Sequence, residues 1–464
     1  MLMSSGMSAL RAVNLSGRRI WGPFILPWPH ILMAVWVGIL LVGGARAAKV
    51  GPGPIYPNEI VFAVAFAALL LRPKLRRDRI AAIRTFPLPR LFQATILVYA
   101  FAFAIALVRG GYGYGRGALH DAGLGYVLLV PLIAFAFVGR SAWLNGFMRV
   151  LFWASVVTVP VLVLEYTNDN TIAPLSLSIG FVLLFSLAPM LDDWLNGVLP
   201  WIGRLYVIAV PVFVFWKVAS RSAIGSLVIG LLIVVALNLR GSRRIAVAGG
   251  AVVGLAVVGI GLYLIAPGVL DKVPPVRLAE STLNLSPNTK GNNARWRLDY
   301  AGALLHRSVE SPRDALLGVG LGKPSEFLWH ENAAIVQAYD FRGRPIPKHV
   351  VANGDVSGPH NGFADVVYRL GWPAGLALVG ILLFGMRIGA RARRLAPERD
   401  ARSTRALLAV TAAGIFVALT SDALRVPECA VPFACAIGLL AAYGLTTGRG
   451  VTSTAHRLPR DTRR

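Results

Sequence analysis

The chain has 464 residues, of which 56 % are hydrophobic and 15 % charged, and its mean hydropathy is +0.62. Soluble globular proteins contain about 45–50 % apolar residues, so this composition excludes an ordinary soluble domain and favours a protein whose main solvent is a lipid bilayer. The formal net charge is +25, from 47 Lys and Arg against 22 Asp and Glu. These basic residues stand in short clusters between long apolar runs, which is typical of membrane topology and of contact with anionic membrane lipids. We therefore expect no nucleic acid as a partner.

Long apolar runs follow one another along the chain. A helix needs about 20 mostly apolar residues to span the hydrocarbon core, and about a dozen such runs are bounded by charge, Pro or Gly. We predict an all-α polytopic membrane protein with about 12 transmembrane helices. The run at 56–71 is the weakest, because Pro57, Asn58 and Glu59 interrupt its start. The predicted spans are 25–44, 56–71, 91–108, 123–138, 147–164, 173–190, 199–216, 222–239, 245–266, 363–386, 405–421 and 429–447.

The basic clusters predict the orientation of these spans, because Lys and Arg in short loops stay on the cytoplasmic side. With a cytoplasmic N-terminus, the basic links follow even-numbered spans and fall on the cytoplasmic side. Their basic residues are Arg72, Lys74, Arg76, Arg77, Arg79, Arg140, Arg149, Arg240, Arg243, Arg244, Arg387, Arg391, Arg393, Arg394 and Arg399. The chain then divides into a cytoplasmic N-terminal segment (1–24), transmembrane helices 1–9 (25–270), one long outer loop (271–360), transmembrane helices 10–12 (361–448) and a basic cytoplasmic tail (449–464).

The long outer loop, 271–360, holds most of the unusual polar residues of the chain. A loop of this length inside a compact protein is usually either functional or disordered. Its segment Trp296–His306 has helical spacing, with Leu298, Ala301, Leu304 and Leu305 on the apolar side, and the glycine-rich stretch 318–322 follows. We predict an amphipathic helix near the membrane surface and then a tight turn.

Several common chemistries lack their residues here. The sequence contains no GxxxxGK[ST] loop, no HExxH and no Cys/His cluster at metal-ligand spacing. The only cysteines, Cys429 and Cys435, lie in one apolar run at a spacing that does not favour a disulfide. The first outer loop, 45–59, has one acid, Glu59, where a metal-binding pair would need two. We therefore expect no metal and no cofactor.

Cationic residues at two outer positions are candidates for binding phosphate. Arg221 lies between the seventh and eighth predicted spans, close to Lys217, and a guanidinium there can bind phosphate oxygens in a bidentate manner. It can equally extend to the membrane interface without a ligand. Arg295 and Arg297 flank Trp296 at the start of the loop helix, where free N–H groups favour an anion. They too can simply form a solvated helix face.

A histidine directly before the tenth span is the candidate base. Neutral imidazole can accept a proton from a sugar hydroxyl at neutral pH, so His360 has suitable chemistry. Asn361 can orient this ring or cap the helix that follows. His360 can also be no more than a residue at a helix start, and His306, His330 and His349 lie in the same loop.

The residues 359–375, PHNGFADVVYRLGWPAG, resemble a family signature. His360 and Asn361, followed after nine residues by Gly371, are similar to the pattern H-[NSQ]-x9-G-x2-[GTY] of the O-antigen ligases and the related O-antigen polymerases. The departure is at the last position, where Ala374 stands and a glycine follows at 375. Ser-Arg at 220–221, and an Arg-containing helix followed by the glycine-rich stretch ending at 322, are similar to two further features of that family.

The resemblance implies a metal-independent, inverting glycosyltransferase of the type C membrane fold in the bacterial inner membrane, with both termini cytoplasmic and loop 271–360 in the periplasm. The donor would be a glycan on undecaprenyl diphosphate. Arg221 and Arg295 would bind the diphosphate and His360 would deprotonate the acceptor hydroxyl. Further substrate contacts would come from Lys217, Arg297 and Asn361.

Four readings stay open on the sequence. A ligase would transfer the glycan to lipid A-core, whereas a polymerase of O-antigen or exopolysaccharide would transfer it to a growing glycan, and the same three residues would serve both reactions. A related ligase could take a protein as acceptor. A transporter or flippase would instead need an internal repeat and ionisable residues at the membrane midplane.

Overall fold

The computed structural model describes residues 26–48, 57–85, 87–110, 121–167, 179–217, 221–239, 292–322, 361–421 and 423–447. All regular secondary structure within these ranges is helical, which confirms the predicted all-α class. Five of the described helices are long and apolar enough to cross a membrane, as expected for a membrane protein. The total of about 12 spans, the full extent of the long loop and the cellular membrane stay predictions.

Every predicted span except 245–266, which lies outside the described residues, overlaps a helix. A 3₁₀ helix at Gly123–Leu128 leads into α5. The helices are α1 (Trp28–Ala48), α2 (Pro57–Leu71), α3 (Pro73–Thr85), α4 (Arg90–Gly110), α5 (Leu129–Phe137), α6 (Ser141–Thr167), α7 (Ile179–Leu195), α8 (Trp201–Lys217), α9 (Arg221–Asn238), α10 (Asn292–Arg307), α11 (Pro312–Leu317), α12 (Gly362–Leu370), α13 (Trp372–Leu395), α14 (Glu398–Thr420) and α15 (Pro427–Thr447). The five long apolar helices are α4, α6, α13, α14 and α15.

Contacts between helix ends bring basic links of the chain to one end of the structure, which we call the basic end. Here α2 is followed at once by α3, and Arg79 of α3 donates to the carbonyl of Val138, just after α5, at 2.7 Å. Near the start of α6, Asn145 donates to Asp400, near the start of α14, at 3.0 Å. Helices α2 and α5 therefore end, and α6 and α14 begin, at the basic end.

A buried polar cluster joins α7, α9 and α14 at this basic end. Arg405 Nε contacts Asp192 Oδ1 at 2.7 Å, and Arg402 Nη1 contacts Asp193 Oδ1 at 2.6 Å. Asn238, the last residue of α9, donates to Asp192 Oδ1 at 2.6 Å. Because α7 and α9 end where α14 begins, α14 runs antiparallel to both, and the start of α9 lies toward the end of α14.

The opposite end, which we call the loop end, contains the described part of the long loop. Leu321 N donates to the carbonyl of Ala106 in the last turn of α4 at 3.0 Å. Trp372 Nε1, at the start of α13, donates to Ser308 Oγ, just after α10, at 3.1 Å. Neighbouring long helices thus alternate in direction between the two ends, in agreement with the alternation of basic and non-basic links in the sequence.

The predicted tenth span, 363–386, is wrong as one continuous helix. Gly371 separates α12 from α13 and has φ of +90°. A Cβ at this residue would lie 2.5 Å from the carbonyl oxygen of Leu316, so α11 comes too close for a side chain. Hydropathy does not detect such a break, because both sides of it are apolar.

The helix predicted at Trp296–His306 is confirmed and begins earlier, at Asn292. Of the residues predicted on its apolar side, Ala301 and Leu304 are buried as expected, whereas Leu298 is 72 % exposed; Tyr300, which was not predicted there, is buried. Helix α10 packs against α12. Only some of the apolar residues of the predicted face are buried. Helix α3 was not predicted, because the basic link that contains it was interpreted as a loop.

Candidate functional site

The residues predicted for the site lie at helix boundaries. The structure places Lys217 at the end of α8, Arg221 at the start of α9, and both Arg295 and Arg297 in the first turns of α10. Asn361 directly precedes α12. His360 lies outside the described residues, and so do the side chains of Lys217, Arg221, Arg295 and Arg297.

Asn361 caps α12, which is one of the two roles predicted for it. Its backbone is extended (φ −144°, ψ 101°), and its Oδ1 accepts a hydrogen bond from Ala364 N at 3.0 Å. This is the geometry by which Asn satisfies one of the free N–H groups at a helix start. The cap determines where α12 begins, and therefore where His360 joins it.

The starts of α9 and α12 lie beside the same end of α14. A Cβ at Gly362, the first residue of α12, would lie 2.9 Å from the carbonyl oxygen of Ala418. A Cβ at Gly225, in the second turn of α9, would lie 2.4 Å from Cε1 of Phe416. Phe416 and Ala418 both belong to the last two turns of α14. The backbone positions of Arg221 and Asn361 are therefore both at the loop end.

Helix α10, which carries Arg295 and Arg297, packs against α12. Tyr300 and Leu304 form the buried side of α10. The backbones of the three segments predicted for the site, at the starts of α9, α10 and α12, thus lie at one end of the bundle.

Two aspartates and two arginines form a closed, buried set of ion pairs at the loop end, which we call the ring: Asp121, Asp365, Arg369 and Arg425. No side chain of the ring is more than 6 % exposed. Arg425 contacts Asp121 through Nη1 at 2.8 Å and Asp365 through Nε at 3.0 Å. Arg369 contacts Asp365 through Nε at 2.9 Å and pairs with Asp121 through Nη1. The ring joins α12 to the segment before the 3₁₀ helix and to the turn between α14 and α15.

The glycine-rich stretch predicted as a turn is attached to the ring. Val319 N donates to the Tyr368 carbonyl at 2.9 Å, and Gly320 N donates to the Arg369 carbonyl at 3.1 Å. Gly322 N donates to Asp121 Oδ2 at 2.7 Å. Gly318, Gly320 and Gly322 all have positive φ, a conformation that glycine adopts without the clash of a Cβ. The turn therefore holds the end of α12 through backbone hydrogen bonds.

A further ion pair holds the same turn to α4. Arg109, one residue before the end of α4, contacts Asp314 of α11 through Nη2 at 3.0 Å and donates through Nη1 to the Gly318 carbonyl. The residues 292–322 are thereby connected to α4 and α12 as well as to α13. This part of the long loop is consequently packed on the bundle.

The ring is a structural support for the predicted site, because each guanidinium is engaged by two carboxylates. Its two positive and two negative charges balance, which is how ionisable groups are tolerated away from water. None of these four residues was predicted as part of a site from the sequence. A signal was present for two of them, since Asp365 and Arg369 are four residues apart inside a predicted span and so lie on one helix face.

Within the described ranges, no group of three or more His, Cys, Asp or Glu side chains is arranged to hold a metal ion. Both cysteines are buried in α15 without a disulfide. Comparison of the chain with protein-family models and with curated proteins finds no match. The sequence motifs and the positions of the helices that carry them are therefore the features that bear on function.

Proposed function

We propose that the protein is a membrane-embedded glycosyltransferase of the O-antigen ligase type. It transfers a polysaccharide from undecaprenyl diphosphate to lipid A-core at the periplasmic face of the bacterial inner membrane. One observation carries the proposal: α9 and α12, which begin at Arg221 and after Asn361, start beside the same end of α14, and α10 packs on α12. Motifs far apart in sequence thus converge at one end of the bundle.

In the proposed reaction, the acceptor hydroxyl oxygen attacks the anomeric carbon from the face opposite the diphosphate. The new carbon–oxygen bond forms as the bond from that carbon to the diphosphate oxygen breaks, which inverts the anomeric configuration. The electron pair leaves with undecaprenyl diphosphate, and the hydroxyl proton passes to the imidazole of His360. Undecaprenyl diphosphate is the leaving group.

Arg221 and Arg295 bind the diphosphate in this proposal. Guanidinium groups keep their positive charge and bind phosphate oxygens in pairs, so they stabilise the charge that builds on the leaving group. Lys217 and Arg297 add positive charge at the same helix boundaries. Asn361 contributes by setting the start of α12, next to His360.

The proposed orientation places the loop end in the periplasm and the basic end in the cytoplasm, with both termini cytoplasmic. The charge distribution supports it, because α3, between α2 and α4, and the last turns of α13 are rich in Lys and Arg and lie at the basic end. Lipid-linked donor and lipid acceptor would both reach the loop end from the outer leaflet.

The test is the lipopolysaccharide profile of a deletion strain that expresses the wild type or a variant at equal membrane levels. His360→Ala should lower transfer by about 10²–10⁴-fold and Arg221→Ala by about 10²–10³-fold. Arg221→Lys keeps the charge but loses the bidentate geometry, so it should retain only part of the activity. Arg313→Ala is the matched control, because Arg313 is exposed on α11 at the same end.

Loss of O-antigen-bearing bands, with polymerised glycan accumulating on the lipid carrier, supports a ligase. Core that carries a single repeat unit would instead assign the protein to the polymerases. Unchanged profiles for both His360→Ala and Arg221→Ala would reject the proposed site and return a transporter to consideration.

A further inference from the structure

Helix α3 carries an exposed, strongly basic surface at the basic end. Five of its side chains are basic and only Asp78 is acidic. Lys74, Arg76, Arg77 and Arg84 are exposed. A row of like charges on a link is enough to orient neighbouring spans, but here the row lies on a helix that is packed onto the bundle.

The buried side of α3 is fixed by Arg79, which is 1 % exposed. Its Nη1 donates to the Val138 carbonyl at 2.7 Å and to the Ala136 carbonyl at 3.3 Å, and its guanidinium lies 4.7 Å from the ring centre of Trp143. Burial, and secondarily the charge of Arg140, lower the pKa of Arg79 to about 10, so it stays charged at neutral pH. Helix α3 is therefore held in one orientation on the bundle, with its other basic residues exposed.

The exposed side of α3 is divided into two flanks by the helical repeat. Arg76, Ile80 and Ile83 follow the spacing i, i+4, i+7 on one flank, and both isoleucines are exposed, at 41 % and 36 %. Lys74 and Ala81 lie on the other flank. Arg77 and Arg84 lie between the two flanks. A helix with exposed isoleucines on one flank, basic side chains over the rest of its exposed side and low overall hydrophobicity is suited to lie in the plane of a membrane interface.

Aromatic residues indicate that α3 lies at the level of such an interface. Arg72, which precedes α3, stacks over Trp28 at 5.0 Å, and Trp28 is exposed at the first turn of α1. Tryptophan is enriched where membrane meets water. The end of α2 and the starts of α1 and α6 all lie around α3, so the helix is placed where several predicted spans would leave the bilayer.

We propose that α3 is a binding surface for anionic phospholipid, with Ile80 and Ile83 among the acyl chains and Arg77 and Arg84 on the phosphate groups. The charge complementarity selects this occupant: a dense positive surface at headgroup level beside exposed isoleucines fits an anionic bilayer. This inference is independent of the proposed glycan transfer and depends only on the protein being embedded in a membrane.

The first experiment measures lipid preference. The full-length protein in detergent is incubated with equimolar phosphatidylglycerol and phosphatidylcholine that have the same acyl chains, and bound lipids are counted by native mass spectrometry. The wild type should favour phosphatidylglycerol. Each basic residue near an anionic surface contributes about fivefold in binding, so Arg77→Gln/Arg84→Gln should reduce the preference by about 25-fold at low salt.

The matched control is Arg391→Gln/Arg394→Gln, which removes two exposed arginines near the end of α13 at the same end of the bundle. It should lose less of the preference than Arg77→Gln/Arg84→Gln, because no exposed isoleucine lies beside Arg391 and Arg394 in α13. Equal losses in both double variants, or no preference in the wild type, would overturn the proposal. Binding of polyglutamate without any preference for phosphatidylglycerol would assign the surface to an acidic protein and also overturn it.

The second experiment measures insertion. Ile83→Cys and Ala81→Cys lie about 160° apart around the helix axis, and each is labelled with an environment-sensitive dye, since the two native cysteines are buried. In vesicles of phosphatidylcholine and phosphatidylglycerol, lipid-borne quenchers should reduce the emission at position 83 and leave position 81 bright. Equal, low quenching at both positions would show that α3 stays outside the lipid.

Discussion

At the scale of single residues, the ring is stabilised because every member pairs with two residues of opposite charge. Each of its carboxylates contacts two arginines, and each arginine contacts two carboxylates, all with little exposure to water. Asp121 also accepts a backbone hydrogen bond from Gly322. Removal of one member of such a set leaves an uncompensated buried charge, which costs far more than the loss of an exposed ion pair.

Asp365→Asn should therefore lower the free energy of unfolding by about 3–5 kcal/mol. Asp314→Asn is the comparison, because its pair with Arg109 is partly exposed and should be worth about 1 kcal/mol or less. The measurement is thermal unfolding of the detergent-solubilised protein, followed by the reaction of Cys429 and Cys435 with a thiol dye, since both are buried in the folded chain. Similar, small shifts in both variants would contradict the structural role given to the ring.

The sequence could predict local residue roles and could not predict distant partners. The Asn361 cap follows from the residue type and from the apolar helix after it, so it was foreseen. The pairing of Asp365 with Arg369 also follows from helical spacing. The contact of Asp121 with Arg425 joins residues 304 positions apart, and no local pattern contains that information.

At the scale of elements, the junction at Gly371 sets the relation of α12 to α13. The left-handed backbone conformation and the adjacent Leu316 carbonyl leave a place for glycine alone. The glycine at position 371 therefore has a packing reason in this chain. Helix existence was predictable from apolar runs bounded by charge, whereas this break needed the position of α11.

Gly371→Ala should destabilise the protein by more than about 2 kcal/mol, since it combines a strained backbone with a steric clash. Gly302→Ala is the matched control, because Gly302 lies within α10 and a Cβ there would meet no atom within 4 Å. That substitution should leave stability unchanged or raise it by up to about 1 kcal/mol. The same thiol-dye unfolding assay compares the two, and a stable Gly371→Ala protein would show that the junction tolerates a side chain.

At the scale of the whole molecule, the structure separates a basic end from a loop end. Hydropathy and charge predicted this separation, because both depend on short stretches of sequence and on the bilayer. For α9, α10 and α12, the sequence predicted only that the residues of the site lie on the same side of the membrane. It did not predict that these helices converge. Their positions around α14 depend on packing between helices, which sequence patterns do not encode in an obvious way.

Cysteine labelling tests the orientation. Arg313→Cys at the loop end should react with a membrane-impermeant maleimide in cells whose outer membrane has been permeabilised. Arg77→Cys at the basic end should react only after the cells are lysed. Both positions are exposed, and the native cysteines are buried. The reverse pattern would place the loop end in the cytoplasm and would contradict the proposed use of a periplasmic donor and acceptor.

The attachment of the glycine-rich turn to the ring has an evolutionary consequence. Gly322 is bound to Asp121, and Asp121 is bound to Arg369 of α12, the helix that begins just after residue 360. Gly322 and helix α12 are therefore held by the same support, whatever the number of residues between them. Because the free-energy cost of closing a loop rises only with the logarithm of its length, insertions and deletions there would scarcely burden the folded bundle. Related chains could therefore differ in length between residues 323 and 359 while α9, α10 and α12 keep their positions.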